Sequence, residues 1–139
     1  MSLRELMKAC EPLLCLQPKV MVKRACQEMR ANKSSAALIL DVDEKLIGIF
    51  TGRDAVHRVL AEGRDGAKVC VSDVMTKDPI TITPHATPIE ALRIMWDGGF
   101  RHLPVMDRGA LVGMLLRRNF KAEDFARLDE ERELWEHMR

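Results

Sequence analysis

Residues 14–50, LCLQPKVMVKRACQEMRANKSSAALILDVDEKLIGIF, and residues 80–115, ITITPHATPIEALRIMWDGGFRHLPVMDRGALVGML, are two versions of one pattern. Pro18 falls against Pro84, Ala25 against Ala91, Asp41 against Asp107, and the run Leu46, Ile47, Gly48 against Leu111, Val112, Gly113. The offset is 66 residues as far as the paired aspartates and 65 beyond them, so one residue has been gained or lost where a short turn tolerates it. A period of this length means one supersecondary unit used twice. Each copy, at about 60 residues, is too small to be comfortable alone, so its sheet is expected to pack against its twin.

Within a copy the elements come in one order. Residues 80–83 alternate apolar and polar and predict a strand. The helix that follows has Thr87 as N-cap, Pro88 at the first helical position, Glu90 two residues on, a stripe of Ala91, Leu92 and Met95, and Gly98 with Gly99 at its end. In the first copy Val22, Ala25, Cys26 and Met29 repeat the helical spacing. Paired apolar runs, 37–40 with 46–50 and 103–106 with 111–115, predict hairpins turning at Asp43-Glu44-Lys45 and at Arg108-Gly109. A second helix closes each copy, over 54–61 and 120–138. The fold class is thus α/β (α+β), two β-α-β-β-α repeats related by a pseudo-two-fold axis, with domains at 3–63 and 71–125 and an amphipathic helical extension at 126–139.

Composition narrows the partners. Hydrophobic content of 47% supports a real core, and 22 Lys plus Arg against 21 Asp plus Glu leaves no field to attract nucleic acid or an acidic membrane. Aromatics at 4%, with no tyrosine, remove the stacking platforms of single-strand binders. Cys10, Cys15, Cys26 and Cys70 lack C-x-x-C spacing, and His57, His85, His102 and His137 complete no zinc pattern, so no metal is expected and the cysteines read as reduced thiols, with a redox role for Cys10 and Cys15 left open. The opening residues lack a signal-peptide core and no apolar stretch is long enough to span a bilayer, which points to a cytoplasmic chain. Methionines 21, 29, 75, 95, 106 and 114 sit on apolar stripes and are expected in the core.

The most telling stretch is GIFTGRDAV, residues 48–56. Thr51 and Asp54 have the spacing of a capping box, and the same strand-to-helix turn is also a place for a phosphate and a sugar. A carboxylate accepts both cis hydroxyls of a ribose, while a threonine hydroxyl and the amides after it face an anion. Gly52 leaves the backbone approachable.

The stretch VSDVMT, KDPITITPHATPIEALRIMWDGGFRHLPVMD and LVGMLL resembles the CBS domain, and two copies in tandem resemble a Bateman module. The resemblance covers about residues 3 to 125. It implies an adenosine-containing ligand (AMP, ADP or ATP, with NAD or S-adenosylmethionine as alternatives) between the copies, no required cofactor, and a homodimer. The family's glycine, threonine and aspartate motif is matched in full by Gly48-Ile49-Phe50-Thr51-Gly52-Arg53-Asp54, where the aspartate takes ribose and the threonine phosphate. The family's crossed arrangement implies a pocket completed from the second copy by Pro79, Ile80, Arg101 and His102, and a histidine on phosphate makes binding mildly pH-sensitive. The mirror motif departs from the pattern: Leu116 replaces the threonine, Asn119 the aspartate, and Ser35-Ala36 stand where the other copy has Arg101-His102. Arg117 and Arg118 are still able to grip a phosphate there, so the second site is expected to be weak.

The chain is therefore expected to be a stand-alone, non-catalytic nucleotide sensor reporting to an unidentified regulated protein. The alternative is a ligand-free dimerisation or protein-interaction module with vestigial sites. An enzyme is disfavoured, because no nucleophile has an adjacent base and there is no P-loop. The final helix is expected to bury Leu128, Trp135 and Met138 against this chain or a second subunit.

Overall fold

A computed structural model describes residues 2–8 and 13–137. In chain order its elements are α1 (Leu3–Lys8), β1 (Cys15–Leu16), α2 (Val22–Ala31), β2 (Ala36–Leu40), β3 (Leu46–Thr51), α3 (Gly52–Asp54) continuing as a π-helical segment (Ala55–Leu60), α4 (Val71–Val74), β4 (Thr76–Lys77), α5 (Pro88–Gly98), β5 (His102–Asp107), β6 (Ala110–Leu116), a 3-10 turn (Arg117–Asn119) and α6 (Ala122–His137). The chain divides into two compact units. The first is Glu11–Pro79; the second joins Met1–Cys10 to Ile80–Arg139.

In the first unit the strands run β1-β2-β3-β4. β1 is parallel to β2, and β2-β3 form the expected hairpin. Asp41 shapes its turn, its Oδ1 accepting from the amides of Asp43 and Lys45 at 2.9 Å each. The core gathers Val22, Ala25 and Met29 of α2, Ala37 and Ile39 of β2, Phe50 of β3 and Val59, with Val71, Val74 and Met75 closing it.

The second unit repeats the design. β5 and β6 pair antiparallel across Arg108-Gly109, whose φ values of 52° and 80° make the left-handed turn that suits a twisted hairpin. α5 opens on a complete capping box, Thr87 and Glu90 each accepting the other's amide at 3.3 Å, and ends on Gly99 at φ 70°. Leu92 and Met95 of α5 meet Leu103, Val105 and Leu115 in its core.

Three expectations need correcting, and a fourth is met only in part within this chain. The strand expected at 80–83 is a single parallel bridge, Ile82 to Val105, held by Ile82 N donating to Pro104 O (3.1 Å) and Met106 N donating to Ile82 O (2.8 Å). Trp135 is not buried: with Leu134 it lies exposed on α6, at 68% and 62%, while Leu128, two turns earlier, is buried at 2%. Met138 lies outside the described residues. Met21 leaves the expected core and stands exposed at the start of α2. The helix expected at 120–138 begins only at Ala122, because the 3-10 turn Arg117–Asn119 ends on Phe120 in an extended conformation (φ −77°, ψ 149°).

One feature of the repeat escaped the sequence reading. Leu3–Lys8 (LRELMK) and the stretch from Val71 (VSDVMT) are equivalent short helices, and each packs in the unit of the other copy: α1 against β6, α4 against β3. Each delivers a methionine to a glycine. A Cβ on Gly48 would overlap Met75 Sδ, and a Cβ on Gly113 would overlap Met7 Sδ.

Candidate functional site

Residues 51–54 sit where β3 leaves the sheet. Thr51 pairs with Ala36 across the hairpin, and Gly52 N donates to Ser35 O at 3.4 Å, which fixes the strand end before the helix begins. The capping box expected from the spacing is present. Thr51 N donates to Asp54 Oδ2 at 2.9 Å, Thr51 Oγ1 donates to the same oxygen at 3.3 Å, and Asp54 N donates back to Thr51 Oγ1 at 3.4 Å. Asp54 is only 8% exposed, a buried charge that needs partners. Oδ1 faces a cation, Arg58 Nε at 3.7 Å.

The two halves of the carboxylate therefore have separate duties. Oδ2 takes the turn's donors, and Oδ1 keeps lone-pair capacity beyond one long ion pair. Capping holds the carboxylate in one orientation and leaves an oxygen for a further donor. A Cβ on Gly52 would meet nothing within 4 Å, so the ground above the turn is open, and Arg53 beside it is exposed. Gly48 is required for a different reason, the close approach of Met75.

The other expected site residues fall on both units. Pro79, partly buried, ends the first unit, and Ile80, 54% exposed, begins the second. Arg101 is exposed and His102, half-buried, opens β5 opposite Leu116, with Arg101 O accepting from Arg117 N at 3.0 Å. Within the second unit the structure thus sets Arg101 and His102 beside Arg117 and Leu116. Within the first it sets Ser35 and Ala36 beside Gly52 and Thr51.

The second motif is occupied with structure. Leu116 is buried, and the Arg117 guanidinium lies 4.5 Å from the Trp96 ring centre, with Arg132 5.0 Å from the same ring. α5 and α6 are further tied by Arg93 to Glu131 and by Arg132 to Asp97 at 2.7 Å. These residues line a shallow groove of about 350 Å³ with Leu128, Trp135 and Glu136.

Among the described residues no group of three His, Cys, Asp or Glu is placed to hold a metal ion, and no helix is long and apolar enough to cross a membrane. Partial burial pushes the Cys26 thiol above its ordinary value, which leaves less thiolate at neutral pH, while Cys15 is exposed. Cys10 lies outside the described residues.

Arg58 was not foreseen, and Met75 was expected in the core without its contact to Gly48. Arg58 is legible as the i+4 partner of Asp54, but its main bonds are remote: Nη1 donates to Val74 O at 3.0 Å and to Met75 O at 3.2 Å.

The family model of the CBS domain matches residues 3–61 and 71–123. Over 91 residues the chain is 43% identical to a CBS domain-containing protein of Arabidopsis thaliana, a match covering 66% of this chain and 17% of that protein. The chain thus spans about a sixth of the length of that relative. A CBS-domain containing protein from Agrobacterium tumefaciens has a similar crystal structure, with a TM-score of 0.78, 29% identity, and coverage of 86% of this chain and 95% of that one. A CBS domain protein from Pyrobaculum aerophilum, solved in complex with AMP, shares the fold at a TM-score of 0.80 and 21% identity over 94% of this chain and 99% of that one.

Proposed function

The chain belongs to the CBS domain family, and from that premise we propose that it is a non-catalytic regulatory module that binds an adenosine nucleotide through residues 51–54. The observation that carries the reading is the orientation of Asp54: Oδ2 is held by the turn and Oδ1 has capacity for ribose hydroxyls. The AMP held by the Pyrobaculum aerophilum protein of like fold motivates the choice of ligand. In this reading Thr51 and the following amides, with Arg53, take the phosphate end. Leu116 and Asn119 make a second site weak, since Arg117 is already engaged on Trp96.

A thermal-shift titration with AMP, ATP, NADH and S-adenosylmethionine tests it. A bound nucleotide stabilises the fold by roughly 3 to 4 kcal/mol at a hundred to a thousand times its dissociation constant. Asp54→Ala, which removes charge-assisted hydrogen bonds worth roughly 1.5 to 3 kcal/mol, lowers affinity some tenfold to a hundredfold. No shift with any of the four ligands sinks the reading and leaves the interaction module in its place.

We also propose a homodimer, supported by the exposed Leu134 and Trp135 on the last turns of α6.

A further inference from the structure

We propose that Arg58 is a positioning residue that ties the nucleotide turn to residues 71–78, the peptide leading into the junction between the two units. The ligand side of this inference rests on the nucleotide reading above; the wiring does not. One guanidinium reaches both ends. Its Nε faces Asp54 Oδ1 at 3.7 Å, and its Nη1 donates to the carbonyls of Val74 and Met75 at 3.0 and 3.2 Å. Those carbonyls close α4, where a helix has acceptors without intrahelical donors, and a planar fork suits two targets at once.

The π-helical segment that carries Arg58 begins directly after Asp54, and such turns are rare and frequently found at functional sites. Beyond the clamp, Met75 fills the space left by Gly48, Thr76 and Lys77 pair with β3, and Asp78, at φ 48°, donates its amide to Ile47 O at 3.0 Å. Pro79 follows and ends the unit. Of the contacts that hold this peptide, the one through Arg58 also touches the carboxylate of the turn.

Ribose hydroxyls on Asp54 Oδ1 compete with Arg58 Nε for the same oxygen. Relieved of that long ion pair, the guanidinium gives its donors to Val74 and Met75. Nucleotide occupancy therefore tightens 74–78.

The wiring is tested without ligand, by amide exchange at 74–77 in the full chain for Asp54→Asn, Arg58→Gln and the double variant. Asp54→Asn frees the guanidinium as a nucleotide does and slows exchange at 74–77, Arg58→Gln speeds it, and the double variant exchanges like Arg58→Gln alone because Asp54 acts there through Arg58. Additive effects overturn the relay whether or not a nucleotide binds. With AMP added, the wild-type chain slows exchange at 74–77 about fivefold or more, a usual coupling strength, and Arg58→Gln binds AMP without that slowing. Equal slowing in the variant overturns the proposal. If AMP neither binds nor protects 51–54 in the wild-type chain, the nucleotide reading falls with its ligand arm, and the ligand-free cycle still decides the wiring.

Discussion

Two glycines that look interchangeable in the repeat are not equally replaceable. A methyl on Gly48 would drive into Met75, which is itself buried at 7%, whereas a methyl on Gly113 would meet Met7, which is half-buried and has room to swing away. Overpacking a closed core costs about 1 to 3 kcal/mol, and an unbranched thioether relaxes cheaply only if it has somewhere to go. Gly48→Ala is therefore expected to lower the denaturant midpoint clearly, and Gly113→Ala to lower it much less. Adding Met75→Ala to Gly48→Ala should show coupling, the pair costing less than the sum of the singles, measured by urea unfolding. The paired glycines were legible in the sequence, because they align. Their reason was not, since Met75 and Met7 come from segments far along the chain and no local spacing announces them.

The helix starts show the same division between what is local and what is not. α5 was readable from Thr87, Pro88 and Glu90 because its cap is made within four residues, and 51–54 was readable for the same cause. α2 has no side-chain cap at Met21. The amides of Val22 and Lys23 are satisfied instead by the carbonyls of Val69 and Gly66, some 45 residues away. No pattern of spacing reports such a partner, and the single bridge at Ile82 was overread as a strand for a similar reason: alternation gives a face but not the length of a ladder. The cap energies can be tested where they are local. Thr87→Ala removes the acceptor for Glu90 N and is expected to cost about 1 kcal/mol, several degrees in melting temperature for a unit of this size, with Thr87→Ser restoring most of it. An unchanged melting temperature would mean that α5 is held by its buried stripe alone.

At the scale of the whole molecule, the end of α6 leaves two large apolar residues side by side without cover, as Val56 and Leu60 are left in the first unit. Leu128 anchors the helix in the second unit, and Arg93 with Glu131 and Asp97 with Arg132 hold it along α5, so the helix is firmly placed up to its last turns. There the pattern changes, and Leu134 and Trp135 stand in solvent. A large aromatic carries the kind of buried area that dominates interfaces, and it is costly to leave wet without a use. The proposed second copy, meeting at this end, would cover Leu134 and Trp135, in line with the expectation that Trp135 packs against this chain or a second subunit. Trp135→Glu is then expected to shift the sedimentation of the chain toward monomer, with the dissociation constant raised about tenfold or more, the range of an interface anchor losing 1.4 kcal/mol or above. The variant should keep its far-ultraviolet circular dichroism and its AMP-induced thermal shift, because Trp135 is exposed and belongs to the second unit, whereas residues 51–54 belong to the first. If it instead loses the thermal shift while sedimenting unchanged, Trp135 serves ligand binding and not self-association, and the dimer must use another face.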